Sequence, residues 1–114
     1  MIDFVTENRD GRLFVRLDGD LDIDGIEKIE TSLIPILDAQ SEIYIDFSNV
    51  AFVDSSGIGL LIHLIESLTS KEIIVKLYNL REEVLSVFEI LQVTEIIGEG
   101  IIVPHSEVDY QVKT

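Results

Sequence analysis

The sequence predicts an α/β fold: a single mixed β-sheet of about four to five strands with α-helices packed on it, in the order β-β-α-β-α-β-α(-β). Three observations predict it. Two segments of alternating apolar and polar residues flank a turn-forming cluster near the start. Two apolar, strand-like segments farther on enclose a stretch of helical periodicity. No linker, low-complexity tract or internal repeat divides the chain. With 114 residues at 46% hydrophobic composition, the chain suffices for one modest core. Residues 1–114 are therefore expected to form one domain, with 104–114, opened by Pro104, His105 and Ser106, as a mobile tail.

The elements follow in order. Residues 2–6 and 12–18 flank Asn8-Arg9-Asp10-Gly11 and predict a hairpin. In the second strand Leu13, Val15 and Leu17 alternate with Arg12, Arg16 and Asp18; Phe14 is the exception. From Asp24 the period becomes helical. Asp24, with Glu27 three residues on, is expected to cap a helix that buries Ile26, Ile29 and Leu33, and Pro35 should kink it or end it early. Residues 42–47, with Ile43, Ile45 and Phe47 on one face, read as a buried strand, and 73–77 as its twin. The helix between them, 56–69, makes the pair parallel with a right-handed crossover. A third helix is expected to start at Asn79 as cap, with Glu82 three residues later, and to bury Val84, Val87, Phe88 and Leu91. A last short strand is placed within 96–103.

Charge and composition limit the function. Against 22 acidic residues stand 8 basic ones, a formal charge of −14, which opposes nucleic acid or an anionic membrane as direct partner. The excess suits a protein partner with a basic docking face, and equally the solubility of an acidic domain. There are no cysteines, so disulfides and Cys-based zinc sites are excluded. Residues 1–9 lack the layout of a signal peptide, and no apolar run approaches the roughly 20 residues of a membrane span. A cytoplasmic location without membrane insertion is expected.

The informative motif is Asp54-Ser55-Ser56-Gly57, where the strand-like segment hands over to the central helix. A helix N-terminus presents unpaired N–H groups and a partial positive charge. A phosphate there would add about −1.5 to −2 charges and be tolerated by the fold while changing what the surface accepts. At about 100° per residue, Ile58, Leu61, Ile62, Ile65 and Leu68 gather on one side of the helix and Ser56, Leu60, His63 and Ser67 on the other. Leu60 is thus expected to be exposed one turn below the serines, and Gly57 and Gly59 to admit another backbone closely. Read alone, Ser55 and Ser56 are equally plain helix-cap residues.

Other chemistries fit less well. Asp20, Asp22, Asp24 and Gly25 imitate the opening of a calcium loop. Its twelfth position would be Thr31 instead of a bidentate glutamate, and a strand precedes it where a helix should. A serine hydrolase would need a base near Ser55, but the histidines are His63, two turns on, and His105; the fragment is not the Gly-x-Ser-x-Gly elbow. A nucleotide-binding module remains as an alternative because helix N-termini bind anions, although no Walker lysine follows Gly59. No catalytic group, metal or cofactor is expected.

Asp54-Ser55-Ser56-Gly57-Ile58-Gly59, between a strand and an apolar helix, resembles the signature of the anti-sigma factor antagonists of the STAS domain family. Gly19-Asp20-Leu21-Asp22 and, more weakly, the Leu85 to Ile97 region, where Val87-Phe88 lead into Ile96-Ile97, resemble it further, so most of residues 10–98 is covered in family order. The resemblance implies that Ser55 is the phosphate acceptor, framed by Asp54, Ser56 and Gly57, with Asp22, Gly59, Leu60 and His63 on the partner-binding surface. It also implies partner-switching: the unphosphorylated form binds an anti-sigma factor that is a serine kinase and frees a sigma factor for transcription. Phosphorylation ends that interaction and a PP2C-type phosphatase restores it; ATP and Mg²⁺ belong to the kinase. The acidic, flexible Asp24-Gly25 start and Pro35 depart from the family pattern. Related domains also serve as stressosome scaffolds, transporter subunits and lipid-transport components, which gives a non-switching alternative.

Overall fold

A computed structural model of the chain describes residues 2–108. β1 (Asp3–Arg9) and β2 (Arg12–Asp18) form an antiparallel hairpin. Asp10 and Gly11 close it with φ of 54° and 83°, left-handed values that match the twist of the paired strands. β2 then pairs in parallel with β3 (Glu42–Asn49), and β3 in parallel with β4 (Ile74–Tyr78), giving the sheet order β1-β2-β3-β4. Helical segments make both parallel crossings: α1 (Ile26–Lys28), a π-helical turn (Ile29–Leu33) and α2 (Ile34–Leu37) in the first, α3 (Ser55–Ser70) in the second. α4 (Glu82–Ile90) and α5 (Val93–Ile97) follow β4.

Alternation along the strands divides the residues between two faces. Leu13, Val15 and Leu17 of β2, Ile43, Ile45 and Phe47 of β3, and Val75 and Leu77 of β4 join Ile29, Leu33, Leu61, Ile65 and Leu68 of the helices in the main core. Phe14, the apolar exception in β2, lies in a second cluster with Tyr78 and Val108. Its ring stacks on that of Tyr44, with centroids 5.1 Å apart. The helices thus pack on one face of the sheet, and Val103 and Val108 cover part of the other. Of the tail expected from Pro104, residues 105–107 form a 3₁₀ turn and Val108 is buried; residues 109–114 lie outside those described.

Several helix boundaries differ from expectation. The first cap is Asp22, not Asp24: its carboxylate accepts from the Asp24 N–H at 3.1 Å and starts a 3₁₀ turn, Ile23–Gly25, ahead of α1. Pro35 does not end the helix. The preceding turn widens so that the Ile34 N–H reaches the Ile29 carbonyl five residues back, and a π turn of this kind accommodates the missing proline N–H. The helix continues to the fully buried Leu37. Asn79 does not cap α4: with φ of 60°, it donates its Nδ2 to Asp46 Oδ1 of the neighbouring strand at 3.2 Å. The helix starts at Glu82 after an extended Arg81. Val84 and Phe88 are buried, but Leu91 is exposed where α4 closes. Residues 96–103 make no fifth strand, because α5 takes the first of them; Ile102 forms one parallel bridge to Leu77.

β3 carries the irregularity that steers the chain toward the serines. Arg16 pairs with Asp46 but Asp18 with Asn49, so β3 holds an extra residue, and bulges of this kind bend a strand. The freed backbone is satisfied locally: the Ser48 N–H donates to Asp46 Oδ1 at 2.8 Å and the Ser48 carbonyl accepts from Arg81 Nε at 2.9 Å. Asp18 accepts from Arg16 and from Asn49 Nδ2. The Arg16 hydrogen bond in particular holds the Asp18 carboxyl below its ordinary range. Asp46 itself is fully buried. Its Oδ2 and the Tyr78 hydroxyl, on adjacent paired strands, meet no hydrogen-bond partner among the described residues.

Tyr78→Phe is accordingly expected to stabilise the fold by on the order of 1 kcal/mol in urea unfolding, because an unsatisfied hydroxyl leaves the interior. Burial, reinforced by the Asp46 carboxylate, pushes the Tyr78 hydroxyl's pKa up. The neutral form is thus favoured in the folded state, and the contribution is complete below about pH 10 and lost as pH rises beyond it. The wild-type stability should fall more steeply above that pH than that of Tyr78→Phe. A destabilised variant would contradict this account of the hydroxyl.

Candidate functional site

Beyond β2 and β3 the two chains continue side by side. The Gly19 N–H donates to the Asn49 carbonyl at 3.1 Å and the Leu21 N–H to the Phe52 carbonyl at 3.0 Å, with Leu21 and Val53 forming a parallel bridge. The Asp54 N–H returns a bond to the Leu21 carbonyl at 3.2 Å. Leu21, Val50 and Val53 are buried and anchor this extension on the core.

Asp54 is the cap of α3. Its backbone is extended, and Oδ1 accepts from the Gly57 N–H at 2.8 Å, satisfying one of the unpaired donors of the first turn. Oδ2 accepts from the Ile23 N–H at 3.3 Å. One carboxylate therefore ties the helix start to the loop after β2. Gly57 completes the junction: a Cβ built there would lie 2.0 Å from the Leu21 carbonyl oxygen. The backbone admitted by Gly57 is the chain's own. Gly59 has nothing within 4 Å of a Cβ and is exposed.

Ser55 is the first residue of α3 and exposed; Ser56 is half-buried. Asp22 is half-buried, one residue from Ile23, so it shares the site with Asp54. His63 is exposed farther along the helix. Leu60 is the exception, since it is 9% exposed and packs with Leu21, Ile29 and Leu33 around an apolar cavity of about 20 Å³. The first crossover helix lies over that side of α3 and widens its buried face to Gly57, Ile58, Leu60, Leu61, Leu64, Ile65 and Leu68. Leu60 is thus a core residue and not an exposed docking residue.

Two other apolar side chains take that exposed role. Ile23 is 67% and Phe52 53% exposed, and the backbones of both are tied to this junction, Ile23 to Asp54 and Phe52 to Leu21. For Phe52 the pair Phe52-Val53 carried the signal, because neighbours in extended chain point to opposite sides; for Ile23, which lies in the 3₁₀ turn after Asp22, alternation gave none. With Val53 inside, Phe52 faces out. Asp20, Asp22, Asp24 and Asp54 make the surroundings acidic, yet no three acidic or histidine side chains converge as metal ligands among the described residues.

Residues 3–108 match the family model for the STAS domain. The chain belongs to the STAS domain family. This STAS domain is 26% identical over 98 residues to an anti-sigma-B factor antagonist of Staphylococcus aureus strain NCTC 8325, covering 83% of this chain and 91% of that one. It resembles the solved structure of the anti-sigma factor antagonist SpoIIAA in its unphosphorylated form, with a TM-score of 0.61 and 27% identity over 76% of this chain and 82% of the other. The Bacillus cell fate determinant SpoIIAA in the phosphorylated form superposes with a TM-score of 0.66 at 23% identity, over 90% of each chain, which supports the fold. No helix among the described residues is long and apolar enough to cross a membrane.

The two glycines of this STAS motif should respond with opposite signs to the same substitution. Gly57→Ala forces the Leu21 backbone away and is expected to cost about 1–3 kcal/mol or more in urea unfolding. Gly59→Ala, in open space within the helix, should gain about 0.5–1 kcal/mol. Equal effects would show that Leu21 does not pack on Gly57.

Proposed function

We propose that this STAS domain is an anti-sigma factor antagonist, a regulatory protein without catalytic activity of its own, switched by phosphorylation of Ser55. The observation that carries the reading is an exposed serine hydroxyl at the first turn of a 16-residue helix whose start is clamped by Asp54. Accessibility suits modification, and the clamp keeps the surface defined whether or not a phosphate is present. The antagonist names of its relatives and the phosphorylated and unphosphorylated forms of SpoIIAA support it.

In the unphosphorylated state the domain binds an anti-sigma factor with serine kinase activity, which releases the sigma factor. Ile23 and Phe52 supply the apolar contacts beside Ser55, with Asp22 and Gly59 on the same surface and His63 at its edge. The kinase transfers the γ-phosphoryl group of ATP to the Ser55 Oγ; the bond to the β-phosphate oxygen breaks, ADP leaves and the hydroxyl proton is released. The product carries about −1.5 to −2 added charge next to Asp54. A partner closing over Ile23 and Phe52 must now desolvate that charge, and binding ends. A PP2C-type phosphatase transfers the phosphoryl group to water, giving inorganic phosphate and the original serine.

Binding of the purified domain to the anti-sigma factor kinase of its own genome tests the reading by calorimetry. Ser55→Ala should bind within about threefold of wild type, and Ser55→Asp at least about tenfold more weakly, a loss of about 1.4 kcal/mol. Incubation with the kinase and ATP should place phosphate on Ser55 by mass spectrometry and none on Ser55→Ala. Equal affinities for all three proteins, or phosphate on Ser56, would refute the assignment.

A further inference from the structure

The corner between α4 and α5 leaves large aliphatic side chains uncovered. Ile90 is 78% exposed, Ile96 50% and Leu91 45%. The geometry of the corner explains why. α4 ends at Ile90, Leu91 closes it, and Gln92, with φ of 54°, turns the chain so sharply that Val93 alone drops into the core. Val93 is buried while every other residue from 89 to 96 is exposed. A corner whose three aliphatics, two at the end of α4 and one in α5, are all exposed is not required by the packing, since polar residues would serve as well there.

The charged side chains of α4 and α5 themselves are all acidic, with Arg81 just before α4 and Lys76, whose Nζ donates to the Gly100 carbonyl, as cations at the flanks. Glu82, Glu83, Glu89, Glu95 and Glu99 fall on or beside these helices, and no lysine or arginine occurs between residues 82 and 108. That charge selects the occupant. A second copy of a chain with formal charge −14 would bring like charges together, and nucleic acid or an anionic bilayer would be repelled in the same way. A segment that combines aliphatic side chains with lysine or arginine satisfies both the apolar tip and the acidic rim. We propose that the α4–α5 corner is an interaction surface for a cationic amphipathic segment of a partner protein, separate from the surface at Ser55. Three aliphatics and their rim fall well short of a stable interface of roughly 1,200–2,000 Å², so the contact is a weak, reversible one that adds to another.

The probe is a fluorescent peptide of about 15 residues built from leucine and lysine, with leucines spaced i, i+3, i+4, i+7, and a shuffled peptide of the same composition. Fluorescence anisotropy should give at least about tenfold tighter binding of the patterned peptide. Ile90→Ser/Ile96→Ser, whose folding is checked by circular dichroism, should lose at least tenfold. Glu89→Gln/Glu95→Gln should weaken binding and flatten its dependence on salt. Ser55→Asp should bind within about twofold of wild type, because the corner is a separate surface. Four results would overturn the proposal: equal binding of the shuffled peptide, full retention by the serine variant, a tenfold loss in Ser55→Asp, or a wild-type dimer in sedimentation that the serine variant abolishes, which would assign the corner to a second copy.

Discussion

The arrangement of the candidate site depends on the contact between the Leu21 carbonyl and Gly57. That carbonyl accepts the Asp54 N–H and lies where any side chain at position 57 would stand. The contact fixes how close α3 comes to the loop after β2. From it follow the reach of the Asp54 carboxylate to both the Gly57 and Ile23 N–H groups, the outward aspect of Ser55, and the display of Ile23 and Phe52 on the segments that meet there. Asp54 is the right residue for this junction because it has two oxygens to spend. A serine cap would satisfy the helix and leave the Ile23 N–H unmet.

The junction is supported from below by the bulge in β3. An extra residue between Asp46 and Asn49 turns the strand end toward β2, so that Asn49, Phe52 and Val53 can pair with Gly19 and Leu21 after the regular ladder stops. The bulge places polar groups on the second face of the sheet, where Asp46, Ser48, Asn79 and Arg81 satisfy one another across β3 and the start of α4. The unmatched Asp46 Oδ2 and Tyr78 hydroxyl sit beside this network. Among the described residues these two groups are unpaired, at a cost of about 1–3 kcal/mol each.

How much of this was legible in the sequence depends on the range of the interaction. The hairpin, the parallel pair β3–β4 and the central helix follow from periodicity and turn chemistry; their bounds agree with the structure to within a residue or two, except that β1 runs three residues farther, through Asn8 and Arg9. The motif at Ser55 was visible as a helix start, but the helical wheel turned Ser56 outward, whereas Ser55 is the exposed serine and Ser56 is half-buried. What sequence could not give was determined by neighbours distant in the chain. Leu60 looks outward on a helical wheel, but Ile29 and Leu33 of another helix cover it. Asn79 looks like a cap until Asp46, thirty-three residues earlier, takes its side chain. Gly57 suggested an open approach for a partner, whereas the approaching backbone is that of Leu21. Phe52 and Ile23 became visible as a pair only once β2 and β3 were seen to run on together.

These contacts also bear on where a phosphate on Ser55 would act. The hydroxyl is outside the core and the cap is made by Asp54, so the helix start does not need the serine side chain. The dipole of α3 would stabilise the added charge by about 0.3–1 kcal/mol in an exposed position, partly offset by the neighbouring Asp54 carboxylate. Neither amount competes with the burial of Leu21, Val53 and Ile58, each of which is worth about 1.5–3 kcal/mol. The fold is therefore indifferent to the modification. An interface would not be, because closing a partner over this junction would strip water from the added charge, and the cost of burying an unpaired charge far exceeds what the helix dipole returns. A charge added at this exposed helix start would therefore act on association and leave folding untouched.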